Sequence, residues 1–328
     1  MRQAVLNPKI FDSDIEKISM RDGYGEGLLE AGEKNQDIVA LTADLKQSTR
    51  VDSFAEKFPD RFFECGVAEQ NMIGIGTGLA LNGKIPFASS LAVFAPGRCW
   101  DQVRVSVCYS KANVKIVGSH AGITVGGDGA THEALEDIAI ARVLPNMAVV
   151  VPCDYIETRK AAIYAAEHKG PLYLRFARGK TAVITTESTP FKFGQAEVFK
   201  EGKEATIIAC GPLVYYALLA AKELEKEGLD IQVINNHTIK PIDKLAIAKA
   251  AKETGAIVTV EEHQIDGGLG GAVAEVLAES YPVPIERIGV KDSFGESGKP
   301  SELLEKYGMS VKSIKEAVRA VLKRKGKS

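Results

Sequence analysis

Two of the chain's five histidines, His120 and His132, share one glycine-rich stretch with Asp128: SHAGITVGGDGATHEALEDIA. Imidazole and carboxylate groups grip hydroxyls and move protons near neutral pH. Gly122, Gly126, Gly127 and Gly129 would let the backbone come close to a bound molecule. One histidine on such a loop reads as a cap or a surface group; for two with an aspartate that reading is poor. A second feature is a single carboxylate, Glu69, in RFFECGVAEQNMIGIGTGLAL. A glutamate in a first turn commonly complements the helix dipole. Glu69, however, opens an almost uncharged helix just past a strand end, where open α/β sheets place ligands. A third, GGLGG at residues 267–271 beside Glu261, Glu262 and His263, could cradle a phosphate at a helix start. A bare glycine run is weak evidence for that, and packing is the expectation.

These residues need a frame, and the chain alternates apolar runs with amphipathic stretches. Helices are expected over residues 21–35, 51–57, 98–112, 132–143 and 155–168, with strands at 38–42, 62–65, 85–89, 114–118, 148–151 and 172–176. Gly74, Gly76 and Gly78 weaken the helix after Glu69, so they are expected to serve close packing against another backbone. Periodicity lapses at TTESTP, residues 185–190, and then restarts. Strands follow at 205–210, 231–234, 257–261 and 285–290, and helices at 212–227, 243–254, 267–280 and 310–323, the last capped by Ser310. Strands apolar on both faces between helices imply parallel sheets covered on both sides. The expectation is two doubly wound α/β domains, residues 1–187 and 188–328.

At 328 residues, 26% charged and 45% hydrophobic, the composition is that of a globular protein. A net charge of -2 gives no reason to expect nucleic acid or an anionic membrane as partner. No apolar run approaches the roughly 20 residues of a membrane span, and MRQAVLNPKIFDSDIEK lacks the apolar core of a signal peptide. Five scattered cysteines without metal-ligand spacing suit a reducing compartment, with the cytoplasm as the default.

The run GVAEQNMIGIGTGLA resembles the segment of thiamine-diphosphate enzymes that carries the glutamate of the pyrimidine-binding domain, and is closest to transketolases. The 120–132 loop resembles the transketolase motif of two histidines and an aspartate lining the sugar channel. VEEHQIDGGLGGAVAE resembles the C-terminal domain that transketolases share with 2-oxoacid dehydrogenase β-subunits. The resemblance covers nearly the whole chain and matches the C-terminal half of a transketolase encoded as its own polypeptide. It implies that Glu69 binds and activates the cofactor's pyrimidine, that Phe94 stacks on it, and that Asp44 lies near it. It further implies that His120, Asp128 and His132 contact substrate hydroxyls, His132 with a catalytic part, and that Ser48, Arg21 and Arg178 hold a substrate phosphate. Leu91 and Ala95 depart from the family's phenylalanines, and an extra residue after Phe94 unsettles the placement of Arg98 and Trp100.

Gly127-Asp128-Gly129 imitates the family's metal-binding turn but lacks its downstream asparagine, since Asn146 comes too early. No metal ligand is therefore expected in this chain. The resemblance implies magnesium and the diphosphate held by an N-terminal partner subunit, and pairing of two copies of this chain into a heterotetramer. The implied reaction is transfer of a two-carbon ketol unit from a ketose-phosphate to an aldose-phosphate, as in the pentose phosphate pathway. The alternatives are a 2-oxoacid dehydrogenase β-subunit, a deoxyxylulose-phosphate-synthase-like enzyme and, from another class, a regulatory binding subunit; the first has no need of the two-histidine loop. A deoxyxylulose-phosphate synthase carries its metal domain in the same chain. A regulatory binding subunit would not require an intact Glu69 and Phe94.

Overall fold

The computed structural model describes residues 4–326 and contains two main sheets. The first has seven strands in the spatial order Thr238–Lys240, Ala148–Val150, Leu172–Arg175, Lys115–Ser119, Ile85–Leu91, Ile38–Thr42 and Phe62–Glu64. All neighbours run parallel except Thr238–Lys240, which pairs antiparallel with Ala148–Val150. Ile38–Thr42 and Lys115–Ser119 are buried along their whole length, as strands covered on both faces must be. Even Lys115 is inside. Its ammonium donates to Asn113 Oδ1 and to the His168 and Gly170 carbonyls, and burial lowers its pKa to about 7.

The chain runs outward from Ile38–Thr42 to Phe62–Glu64, then returns to the opposite side as Ile85–Leu91. The reversal opens a crevice at the carboxyl ends of Ile38–Thr42 and Ile85–Leu91, the place where open α/β sheets hold ligands. The second sheet repeats the device. Its order is Ile285–Val290, Ile257–Gln264, Ala205–Ala209, Ile231–Asn235 and Glu197–Lys200, parallel but for the last. Its reversal lies between Ala205–Ala209 and Ile257–Gln264. Both domains are thus doubly wound α/β units, as the alternating pattern implies.

The structure departs from the sequence expectations in several places. The helix expected over residues 98–112 is broken. Residues Val93–Arg98 form wide irregular turns around Pro96, winding resumes at Trp100–Gln102, and Val103–Tyr109 continues as a π-helix. The helix expected over 132–143 is only Asp137–Arg142. The Gly122 N–H donates to the Ala134 carbonyl at 3.0 Å and Ala121 bridges to Ala134, which ties residues 132–136 to the loop and keeps them out of the helix. Short pieces escape periodicity altogether: the ribbon of Lys17–Ser19 with Lys180–Ala182, the strand Thr238–Lys240 and the helix Pro300–Lys306. The halves also exchange segments. Ala4 and Asn7 N–H groups reach Val198 and Ile184 carbonyls, Ile10 and Ile15 join the second core, and Thr238–Lys240 edges the first sheet.

Within the chain, close helix packing falls on glycines other than Gly74, Gly76 and Gly78. Gly27 of Met20–Lys34 faces Tyr155–Glu167 so closely that a Cβ would stand 2.6 Å from the Arg159 carbonyl oxygen. In Glu69–Leu81, Gly74 and Gly78 instead lie on an open face, while Gly76 is turned inward to Pro86 and Val114. Among the described residues no helix is long and apolar enough to cross a membrane.

Candidate active site

The first crevice gathers most of the expected residues. Glu69 stands at the first turn of Glu69–Leu81 and is 1% exposed. Its Oε2 accepts a 2.8 Å hydrogen bond from Arg98 Nη1, and the guanidinium lies over the Phe94 ring, 4.2 Å from its centroid. The other edge of Phe94 meets His132 in a T-shaped contact with centroids 5.5 Å apart. Glu69, Arg98, Phe94 and His132 therefore form one continuous series. Phe94 and Arg98 lie four positions apart, the spacing of neighbours on one helical face, and the irregular turns at Val93–Arg98 keep them adjacent while aiming both at Glu69. Arg98, left without an assignment by the sequence, belongs to the site. Trp100 does not: its Nε1–H donates to the Ile140 carbonyl at 2.9 Å.

His120 lies deeper, 5% exposed, with φ 55°. A positive φ is uncommon for any residue but glycine, and such strain concentrates where geometry serves function. Its Nδ1 is 2.8 Å from Ser119 Oγ. Burial, followed by the nearby Arg21 and Arg178 cations, lowers its pKa to about 3, so the ring is neutral at physiological pH. The two arginines line a cleft of about 360 Å³ with Ser19, Arg50, Thr124 and Lys180. Arg178 Nη1 donates to the Val125 carbonyl at 3.0 Å and to Asp128 Oδ1 at 3.2 Å. Arg21 donates from Nε to Ser19 Oγ and from Nη1 to the Ser48 carbonyl, at 3.2 and 3.1 Å. Both guanidiniums are thus anchored through part of their donor set and keep the rest for a ligand. A phosphate between them would receive charge-assisted bonds from two sides.

Asp44 is brought to the crevice but apart from the cations. It is exposed, with φ 59°, immediately beyond Ile38–Thr42. What fixes it is Glu64, whose Oε1 accepts from the Asp44 N–H at 2.8 Å and the Gly66 N–H at 3.0 Å. Glu64 has no recognisable signal beyond ending a short aromatic strand. Arg175, the last residue of the strand Leu172–Arg175 and three positions before Arg178, has a different role from it. It is 2% exposed and clamps Asp137 through Nε and Nη2, at 2.7 and 3.2 Å.

The glycine run of the second domain is not open to a phosphate. Glu261 already accepts from the Leu269 and Gly270 N–H groups, each at 2.7 Å, so the helix start is capped by the protein's own carboxylate. A Cβ on Gly268 would collide with that carboxylate. His263 is equally occupied: Nδ1 bonds the Gln264 carbonyl at 2.7 Å and Nε2 receives the Ala139 N–H at 3.3 Å, which caps the helix Asp137–Arg142. Packing is the outcome. All five cysteines are free and four are buried. Among the described residues no three His, Cys, Asp or Glu side chains group as metal ligands would.

Two switch-point crevices, the first bearing a buried acid, an aromatic face, two histidines and two arginines, define a two-domain α/β protein with a polar cleft at a sheet's carboxyl edge. Comparison with known proteins gives the family. The chain belongs to the transketolase family: the transketolase pyrimidine-binding domain matches residues 16–183 and the transketolase C-terminal domain matches residues 194–314. It is 49% identical over 308 residues to a protein of Methanocaldococcus jannaschii named as a transketolase C-terminal section, covering 93% of this chain and 96% of that one. It is 44% identical over 315 residues to a 6-deoxy-6-sulfo-D-fructose transketolase subunit of a Clostridium species, covering 96% and 98%. Human transketolase is 38% identical over 311 residues, which span 94% of this chain but 49% of the human protein. Among solved structures, a split-gene transketolase described as an inactive β4 tetramer superposes with a TM-score of 0.88 at 48% identity, covering 94% and 99% of the two chains.

Proposed function

We propose that this chain is the pyrimidine-side subunit of a two-chain transketolase that moves a two-carbon ketol unit between sugar phosphates. The observation that carries the reading is the buried Glu69 carboxylate, set in one crevice with Phe94, the two histidines and the two arginines. The residues fit the cofactor's aminopyrimidine. Glu69 Oε1 has no partner among the described residues and can take a ring nitrogen, and Phe94 is half-buried with a face that a flat heteroaromatic can share once Arg98 swings aside. Bound thiamine diphosphate would supply the carbon nucleophile that carries the two-carbon unit. Glu69 sets the protonation of the pyrimidine, and Asp44 lies beside the cofactor. His120, neutral, and His132 hold substrate hydroxyls or the carbonyl oxygen, and His132 also moves a proton. Asp128 reads the hydroxyl next to the reacting carbon. Arg21, Arg178 and Ser48 bind the terminal phosphate.

In this reading magnesium and the diphosphate belong to an N-terminal partner subunit. Two copies of this chain pair through the open face of Glu69–Leu81, where Gly74, Gly78 and the 36% exposed Ile75 lie, giving a heterotetramer. Domains of residues 1–187 and 188–328 and a cytoplasmic setting, which the five free thiols suit, complete the proposal. A protein 41% identical over 298 residues is named as an apulose-4-phosphate transketolase subunit, so the preferred sugar is open to assay. Calorimetry with thiamine diphosphate and magnesium tests the division of labour. The isolated chain should give little heat and the mixture with its partner a saturable signal; binding tighter than about 1 µM by the chain alone contradicts it.

A further inference from the structure

The second domain has its own switch point, and a cavity lies there. Pro212, Leu213, Tyr215 and Tyr216 open the helix after Ala205–Ala209, and Glu262 belongs to the neighbouring Ile257–Gln264. With Lys17, Lys180 and Leu304 they line a space of about 240 Å³ between the domains. Its body is apolar and aromatic, its rim cationic. Ser19 pairs with Lys180 in the antiparallel ribbon and Lys17 lies two residues from Ser19, so both lysines project from the same ribbon face. Neither ammonium has an ion pair or hydrogen bond among the described residues, and like charges so placed repel.

Two further features point to a ligand. The helix Leu213–Lys226 begins here without a side-chain cap, with Pro212 preceding it, so its positive end is turned to the cavity. Glu262 is 1% exposed; one oxygen accepts the Thr124 N–H at 2.5 Å and the other, Oε2, has no partner. A buried polar atom left unmatched calls for an explanation. Burial raises the pKa of this acid, so it protonates more readily than an exposed glutamate.

We propose that this interdomain cavity is a second binding site, for a small phosphorylated or carboxylated molecule with a flat or apolar body. The anionic group sits between Lys17 and Lys180 at the helix start, and the body lies against Tyr215, Tyr216 and Leu304. Thr124 belongs to the segment Ile123–Asp128, and Gly179 adjoins Arg178, so occupancy touches both the sugar loop and the phosphate cleft. The site is therefore placed to tune affinity for phosphorylated substrates. It goes beyond the ketol-transfer reading and does not depend on it.

The test is calorimetric titration of the full chain with phenyl phosphate, and with benzyl alcohol as a neutral control. Saturable binding of phenyl phosphate is expected, with little from the alcohol. Lys17→Glu, an exposed change that leaves the fold intact, should weaken it about tenfold or more. Leu304→Trp should fill the cavity and abolish it, with thermal melting to confirm folding, while Arg178→Ala should leave it in place. Absence of saturable binding, or binding lost with Arg178→Ala and retained in Lys17→Glu, overturns the proposal, the latter because the probe would then occupy the substrate cleft.

Discussion

In the proposed reading Glu69 is the residue on which the chemistry turns, and its environment makes the prediction sharp. The Arg98 bond orients a carboxylate that is otherwise surrounded by protein, so an amide fills the same space without serving as an acid or base. Glu69→Gln should lower ketol transfer by about a hundredfold to ten-thousandfold with the melting temperature unchanged; turnover close to wild type at saturating cofactor would remove the assignment. Arg178→Ala should raise KM for phosphorylated sugars and leave kcat largely in place, because a phosphate contact is made in ground and transition states alike. Equal impairment with a non-phosphorylated ketose would show that Arg178 does not bind phosphate. The histidines give a pH dependence. His120 and His237 have folded pKa values of about 3 against an ordinary 6.5, both through burial. Below pH 6.5 the unfolded chain takes up protons that the native state refuses until about pH 3, so these groups remove stability as pH falls through that window. Glu133 and Glu157, raised to about 7 mainly by burial, act in the opposite sense over that window, so the histidine part is read by difference: between pH 7 and 4 the urea midpoint of His237→Gln should lose less, relative to its value at pH 7, than that of the wild type.

At the scale of elements, what was legible depended on length and on who covers what. The long buried strands and the helices Tyr155–Glu167, Leu213–Lys226 and Val311–Lys325 announce themselves through apolar runs and caps such as Asp154 and Ser310. The Glu69 helix and the histidine loop were legible because their residue types are odd for their positions. The turns at Val93–Arg98, which bring Arg98 onto Glu69, were not. Winding there is decided by Pro96, Gly97 and packing around Cys99, and no period records it. The edge strand Thr238–Lys240 was equally hidden, since its partner strand is nearly ninety positions away in the chain. The helix glycines carry a similar lesson, with only their exposure separating roles. Gly74→Leu or Gly78→Leu, on the open face, should leave melting nearly unchanged and reduce association in sedimentation. Gly76→Leu, whose Cβ would already be in van der Waals contact with Pro86 and Val114, should instead overpack and destabilise the chain by about 1–3 kcal/mol. If Gly74→Leu associates as the wild type does, that helix face is not the contact between copies.

For the whole molecule, the two domains are locked by buried polar links. Arg175 clamps Asp137 and also donates to the Glu262 carbonyl at 2.8 Å, while His263 caps the helix of the other domain. The segment around Asp137, just beyond the 120–132 loop, is thereby held from behind by the second domain. His263→Ala should loosen Asp137–Arg142 and lower stability by about 0.5–2 kcal/mol, the range for losing a helix cap. The central claim is that this chain supplies only the pyrimidine side of a shared active site. The most direct measurement is reconstitution: ketol transfer from a ketose-phosphate to an aldose-phosphate, followed with this chain alone, with the magnesium-binding partner alone, and with both, using wild type and Glu69→Gln. The account predicts turnover only in the mixture, proportional to the limiting chain and lost with Glu69→Gln. Transfer by either chain alone, or a mixture indifferent to the Glu69 change, would contradict it.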